Sequence, residues 1–195
     1  HKAIRVGGIM SGKLTLISSA TASSSTSVDF TSGITSAYDE YIFYGLDINP
    51  SVGGAGADGP IFGFQSNAVG GSGFNETITS TAFGAYHRED GASSWLGYTT
   101  SMDQANGTSY QPIATNVGSL TGDSLCYELH LFSPSSTSKV KHFYCRAVNP
   151  NDDDPTYSWQ YFVSGYINTI SAIDEISFNV SSGNFDGNIY LFGAS

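Results

Sequence analysis

The chain has 195 residues and a formal net charge of −10, from 17 acidic against 7 basic side chains, which makes polyanions poor partners, because phosphate binding needs clustered Lys and Arg. No apolar run approaches the ~18 residues of a membrane helix, so membrane insertion is not expected. Apolar residues at 39%, with 12 Tyr and 12 Phe, are too many core formers for a disordered chain, and the length suits one domain.

In chain order, His1 to Gly12 reads as an N-terminal arm or a frayed first strand, with Lys2 and Arg5 as a docking pair for an acidic neighbour. A single β-sandwich domain then spans residues 13–195. Its first strand is predicted over Lys13 to Ala20, and the run Thr21 to Ser27 is too polar for core. Val28 to Phe30 is a short strand, and Ser36 to Glu40 is the best candidate for one helical turn. Glu40 to Ile48 is apolar on both faces and predicts a central strand.

The loop Ser51 to Gly59 contains Gly54-Ala55-Gly56-Ala57-Asp58-Gly59, a formal match to the dinucleotide fingerprint. Pro60 and a strand at Ile61 to Gln65 follow it, where that motif needs a helix N-terminus, so no cofactor is expected. Thr77 to His87 and Ser94 to Thr99 flank a D-G turn and form a hairpin. Tyr110 to Val117 is at most a weak strand.

The most regular stretch is Ser124 to Arg146. Leu125, Tyr127, Leu129 and Leu131 alternate with Cys126, Glu128, His130 and Phe132, a period of two. A turn centred near Ser136 sets His130 across from His142 and puts Cys126 and Cys145 on opposite faces. No single register then assembles a Cys₂His₂ metal site, and two free thiols are expected. Val148 to Pro155 should break the chain, and Asp152, Asp153 and Asp154 there lack the spacing of a calcium loop.

Thr156 to Ile167 sets Tyr157, Trp159, Tyr161 and Val163 on one face. With Trp95, these rings are candidates for a subunit interface or for stacking on a sugar. Ile176 to Val180 and Asn188 to Phe192 complete the strands. Ten to twelve short strands with almost no helix predict an all-β, two-sheet antiparallel sandwich, most simply a jelly roll. The acids sit in adjacent loop pairs, and no spacing marks a catalytic pair or nucleophile, so a non-enzyme is expected.

Leu14 to Ile34 (LTLISSATASSSTSVDFTSGI), Tyr38 to Phe43 (YDEYIF), Ile48 to Pro50 (INP) and Ser181 to Gly193 (SSGNFDGNIYLFG) resemble small virion structural proteins, of decoration or fibre type, from marine, cyanophage-like tailed phages. The resemblance implies a β-sandwich on the outer surface of a virion, with other virion proteins as partners and no catalytic, cofactor or metal residues. It also implies a homo-oligomer, taken as a trimer, with the Tyr157/Trp159/Tyr161 row or the Tyr41/Phe43 strand as its interface. His1 to Gly12 lies outside the resemblance. The competing reading is a carbohydrate-binding module that takes a host-surface glycan.

Overall fold

The computed structural model describes residues 12–53, 59–151, 154 and 156–194. Among them there is no helix, and twelve strands account for the regular structure: β1 (Leu14–Ser25), β2 (Ser27–Phe30), β3 (Glu40–Pro50), β4 (Phe62–Ala68), β5 (Ile78–Arg88), β6 (Ser94–Tyr98), β7 (Gln111–Ala114), β8 (Leu125–Phe132), β9 (Lys141–Pro150), β10 (Tyr157–Ile167), β11 (Ile173–Val180) and β12 (Phe185–Ala194). They form two antiparallel sheets, one of eight strands in the order β1-β12-β3-β8-β9-β10-β5-β6 and one of four in the order β2-β11-β4-β7. One of the two sheets is curled like half a barrel. The fold is therefore the expected β-sandwich. A jelly roll divides eight strands between its two sheets, and an eight-to-four division does not establish that variant.

The core lies between the sheets, where rings meet edge to face. Phe43 of β3 packs 5.4 Å from Phe30 of β2 and 5.3 Å from Phe178 of β11, and Phe64 of β4 lies 5.0 Å from Phe143 of β9. Such geometry sets the positive edge of one ring against the negative face of the next. Glycine makes room for one of these rings. A Cβ on Gly45 would fall inside the Tyr127 ring that lies across it on the neighbouring strand. Lys141 is fully buried, and its ammonium donates to Lys139 O at 2.9 Å and Thr169 O at 3.1 Å. Burial holds that ammonium below the usual lysine range.

Four local expectations are corrected. β1 runs on through Thr21 to Ser25, past the predicted end of the first strand at Ala20. β1 is an edge strand whose polar groups bond to β12, with Thr21 Oγ1 on Asn188 Oδ1 at 2.8 Å and the Ser24 amide on Asp186 Oδ1 at 2.7 Å. Ser36 and Ala37 make only a turn and Glu40 already opens β3, because the Tyr41 hydroxyl accepts the Thr35 amide at 2.8 Å and donates to the Thr35 carbonyl at 2.9 Å, occupying backbone groups just before the turn. β9 continues to Pro150, paired with Ser158, so the chain breaks only after that proline.

The fourth correction concerns the long hairpin. Its faces are as predicted, but its turn runs from Ser133 to Val140, with Ser133 at a φ of 47°. The register is therefore two residues further on than expected. His130 faces Tyr144 rather than His142.

Candidate contact surfaces

The predicted aromatic row lies on the inner face of the large sheet, and its members have different fates. Tyr161 and Val163 are buried in the core. Tyr161 donates or accepts at Thr115 Oγ1 over 2.9 Å, and burial pushes its phenol up to about 12. Trp159 and Tyr157 continue the row toward the end of β10 and are only half-buried. They meet Tyr86 of β5 and Trp95 of β6, because the register sets Trp159 against Tyr86 and Tyr86 against Trp95.

The result is an aromatic shelf. Tyr86 lies 4.7 Å from Trp159, 5.1 Å from Tyr157 and 6.0 Å from Trp95, and the two indoles are 6.0 Å apart. Trp95 is 38% exposed. The guanidinium of Arg88 stands 5.5 Å above the Tyr157 ring, and its nitrogens lie 3.6 Å from Asp90 and 3.8 Å from Asp154. Tyr86 and Arg88 are the shelf members that sequence reading missed. Their signal was the D-G hairpin, which implies that the strand before it pairs with something on its other edge, but not that the partner is β10.

Of the alternative interface strand, Tyr41 and Phe43 point inward from β3, and both side chains are wholly buried between the sheets. Cys126 and Cys145 are free thiols on opposite faces, as expected, and burial pushes the Cys145 thiol well above its usual value. Asp154 accepts hydrogen bonds from the amide and hydroxyl of Thr156, which hold its carboxyl low. Asp152, Asp153, the glycine-rich 54–58 stretch and the arm residues Lys2 and Arg5 lie outside the described residues. Among the described residues no cluster of three His, Cys, Asp or Glu could hold a metal ion, and no helix is long and apolar enough to cross a membrane.

The outer face of the large sheet is the second surface. An antiparallel sheet with one solvated face normally sets polar residues there. Here one row across the register carries Leu16, Phe192, Ile42, His130 and Tyr144 on β1, β12, β3, β8 and β9. The next carries Tyr44, Glu128, Arg146, Phe162, Phe83 and Tyr98 from β3 to β6. The rings touch in sequence. His130 stacks on Tyr144 at 4.3 Å, Tyr144 on Phe162 at 6.0 Å and Phe162 on Phe83 at 5.2 Å.

Exposure is greatest at the two flanks, with Leu16 at 54%, Tyr98 at 53% and Leu96 at 72%. The charges in the middle of this face are paired. His130 Nδ1 lies 2.6 Å from Glu40 Oε1, and Arg146 lies 3.7 Å from Glu128. Partial burial first, and then the Glu128 and Glu40 carboxylates, raise the phenols of Tyr44 and Tyr144 above the usual tyrosine value. Beside them a shallow groove of about 300 Å³ runs between Tyr44, Leu46, Cys126, Arg146 and Val148.

No family model matches the chain. No curated protein matches it either.

Proposed function

We propose that this chain is a non-catalytic structural module that works by protein contact through the outer face of its eight-stranded sheet. The observation that carries the reading is the apolar, ring-stacked face running from Leu16 to Tyr98, with its central charges paired within the chain. Apolar side chains left exposed side by side, as Leu96, Tyr98 and Phe83 are, are a usual mark of a protein-contact site. A charge-poor, Ser/Thr/Gly-rich exterior around a rigid ring-filled core suits a load-bearing surface component.

The resemblance of Leu14 to Ile34 and Ser181 to Gly193 to tailed-phage virion proteins supports the outer surface of a virion as its setting, as head decoration or as a fibre module. Self-association into a trimer belongs to the same reading. The outer face, rather than Tyr41, Phe43 or Tyr161, is its contact surface, since those three side chains are already filled by the core.

The test is to locate the density of this chain on an intact particle. The reading expects the Leu16-to-Tyr98 face against neighbouring protein, and that face bare to solvent on every copy would overturn it. Sedimentation at micromolar concentration checks the oligomer: a monomer there counts against the trimer.

A further inference from the structure

We propose that the aromatic shelf at the β5–β6 end is a binding site for a neutral sugar, with a pyranose ring stacked on Trp95. A pyranose has an apolar C–H face and a rim of hydroxyls. Its site therefore needs a flat aromatic surface open on one side, with short polar groups beside it.

Trp95 meets the first requirement. Its indole lies back along its own strand over Gly97, with Cζ2 2.5 Å and Cε2 2.9 Å from where a Cβ on that glycine would stand. Only a residue without a side chain lets the ring lie so close to the sheet. Tyr86 stacks on Trp95, with ring centroids 6.0 Å apart and planes at 22°, and so helps to hold the indole in place. Unlike Tyr161, which the core covers, Trp95 is left 38% exposed on an edge strand. Trp159 supports it from β10, so both tryptophans of the chain converge on this shelf from positions 64 residues apart.

The rim supplies the second requirement. The Tyr86 hydroxyl and Ser93 Oγ, 3.2 Å apart, and the Arg88 guanidinium border the rings. The charge on that rim decides which sugar fits. Arg88 is already flanked by Asp90 and Asp154, and Glu89 adjoins it. A carboxylated or sulfated sugar would meet net negative charge there, and a neutral one would not. The site is separate from the outer face, so its failure leaves the protein-contact reading standing.

The two tryptophans make the test direct, because the chain's whole indole emission arises at the shelf. The intact protein is titrated with cellotriose, maltotriose, mannotriose and N-acetyllactosamine, and with sialyllactose as the anionic control. The expected result is a saturable change in emission with at least one neutral sugar at a Kd no weaker than about 1 mM, and at least tenfold weaker binding of the anionic one. Trp95→Ala should abolish binding, read by calorimetry, with the far-UV dichroism unchanged. Gly97→Val should weaken it at least tenfold while keeping both indoles, since the new side chain lifts Trp95 off the sheet.

Absence of any saturable response overturns the proposal. So does preference for sialyllactose, or unchanged binding in both variants.

Discussion

The two faces of the eight-stranded sheet are built from the same kinds of residue and lie in different surroundings. On β10, Tyr161 and Val163 turn inward and are sealed by the small sheet, while Phe162 between them turns outward onto Tyr144 and Phe83. On β3, Tyr41 and Phe43 are core, while Tyr44 stands outside beside Phe192. Ring content alone therefore does not distinguish a core from an outer face. The difference is coverage: the inner rings of the core have a second sheet against them, and among the described residues no second sheet lies over the outer rings.

The sharpest way to break this comparison is to delete one ring from each face. Phe43→Ala should cost about 3–5 kcal/mol, since it opens a cavity among Phe30 and Phe178. Phe162→Ala should cost the monomer only about 1 kcal/mol of stacking. Urea unfolding at low protein concentration measures both, and equal losses would mean that the outer face is as tightly packed as the core.

Next in size is Gly45→Ala. Its Cβ would collide with the Tyr127 ring on the inner face, and overpacking of this kind costs about 1–3 kcal/mol. The thermal midpoint should fall by several degrees. A midpoint unchanged within a degree would show that the ring can move aside.

Alkaline pH separates the faces in another way. The Tyr161 phenol is raised to about 12 by burial from an ordinary value of 10.0. Below pH 10 both folded and unfolded chains keep the proton, so the buried phenol contributes its full stability. Between pH 10 and 12 the unfolded chain releases the proton first, and stability falls by an amount on the order of 2 kcal/mol. Tyr161→Phe should remove that part of the decline, measured as unfolding free energy against pH. A curve of the same slope in the variant would assign the loss to other groups.

The smallest effect is expected at Tyr127, whose hydroxyl is buried without a hydrogen-bond partner among the described residues. Tyr127→Phe removes an unsatisfied polar group and keeps the ring, so stability should be unchanged or rise by up to about 1 kcal/mol. A clear loss would mean that this hydroxyl has a partner in solution.

Much of the fold was legible because strands announce themselves locally. The Leu125-to-Phe132 alternation, the D-G turn before β6 and the closing run of β12 each stand where the sequence predicts them. The misses lie where longer-range pairing decides. Thr21 to Ser25 is too polar for core, yet an edge strand needs little more than backbone bonds to its neighbour, and β12 supplies them. The candidate site was half legible. Trp95, Tyr157 and Trp159 carried the signal of their ring type, whereas Tyr86 and Arg88 joined them only through pairing of β5 with β10. Phe83, Tyr144 and Phe162 were hidden because a strand apolar on both faces does not say which face is covered.

The sequence by itself determined that this is an all-β chain, where most of its strands lie and which residues share a face. These follow from period-two alternation and turn chemistry, which act within a few residues. Only the tertiary structure decided that β1 pairs with β12 across the length of the domain, that Tyr41 and Phe43 are core while Tyr44 and Phe162 are surface, and that two distant tryptophans form one shelf. The physical reason is that strand pairing and sheet coverage are long-range choices: backbone hydrogen bonds are alike at every register, and the partner that wins is set by the packing of the whole.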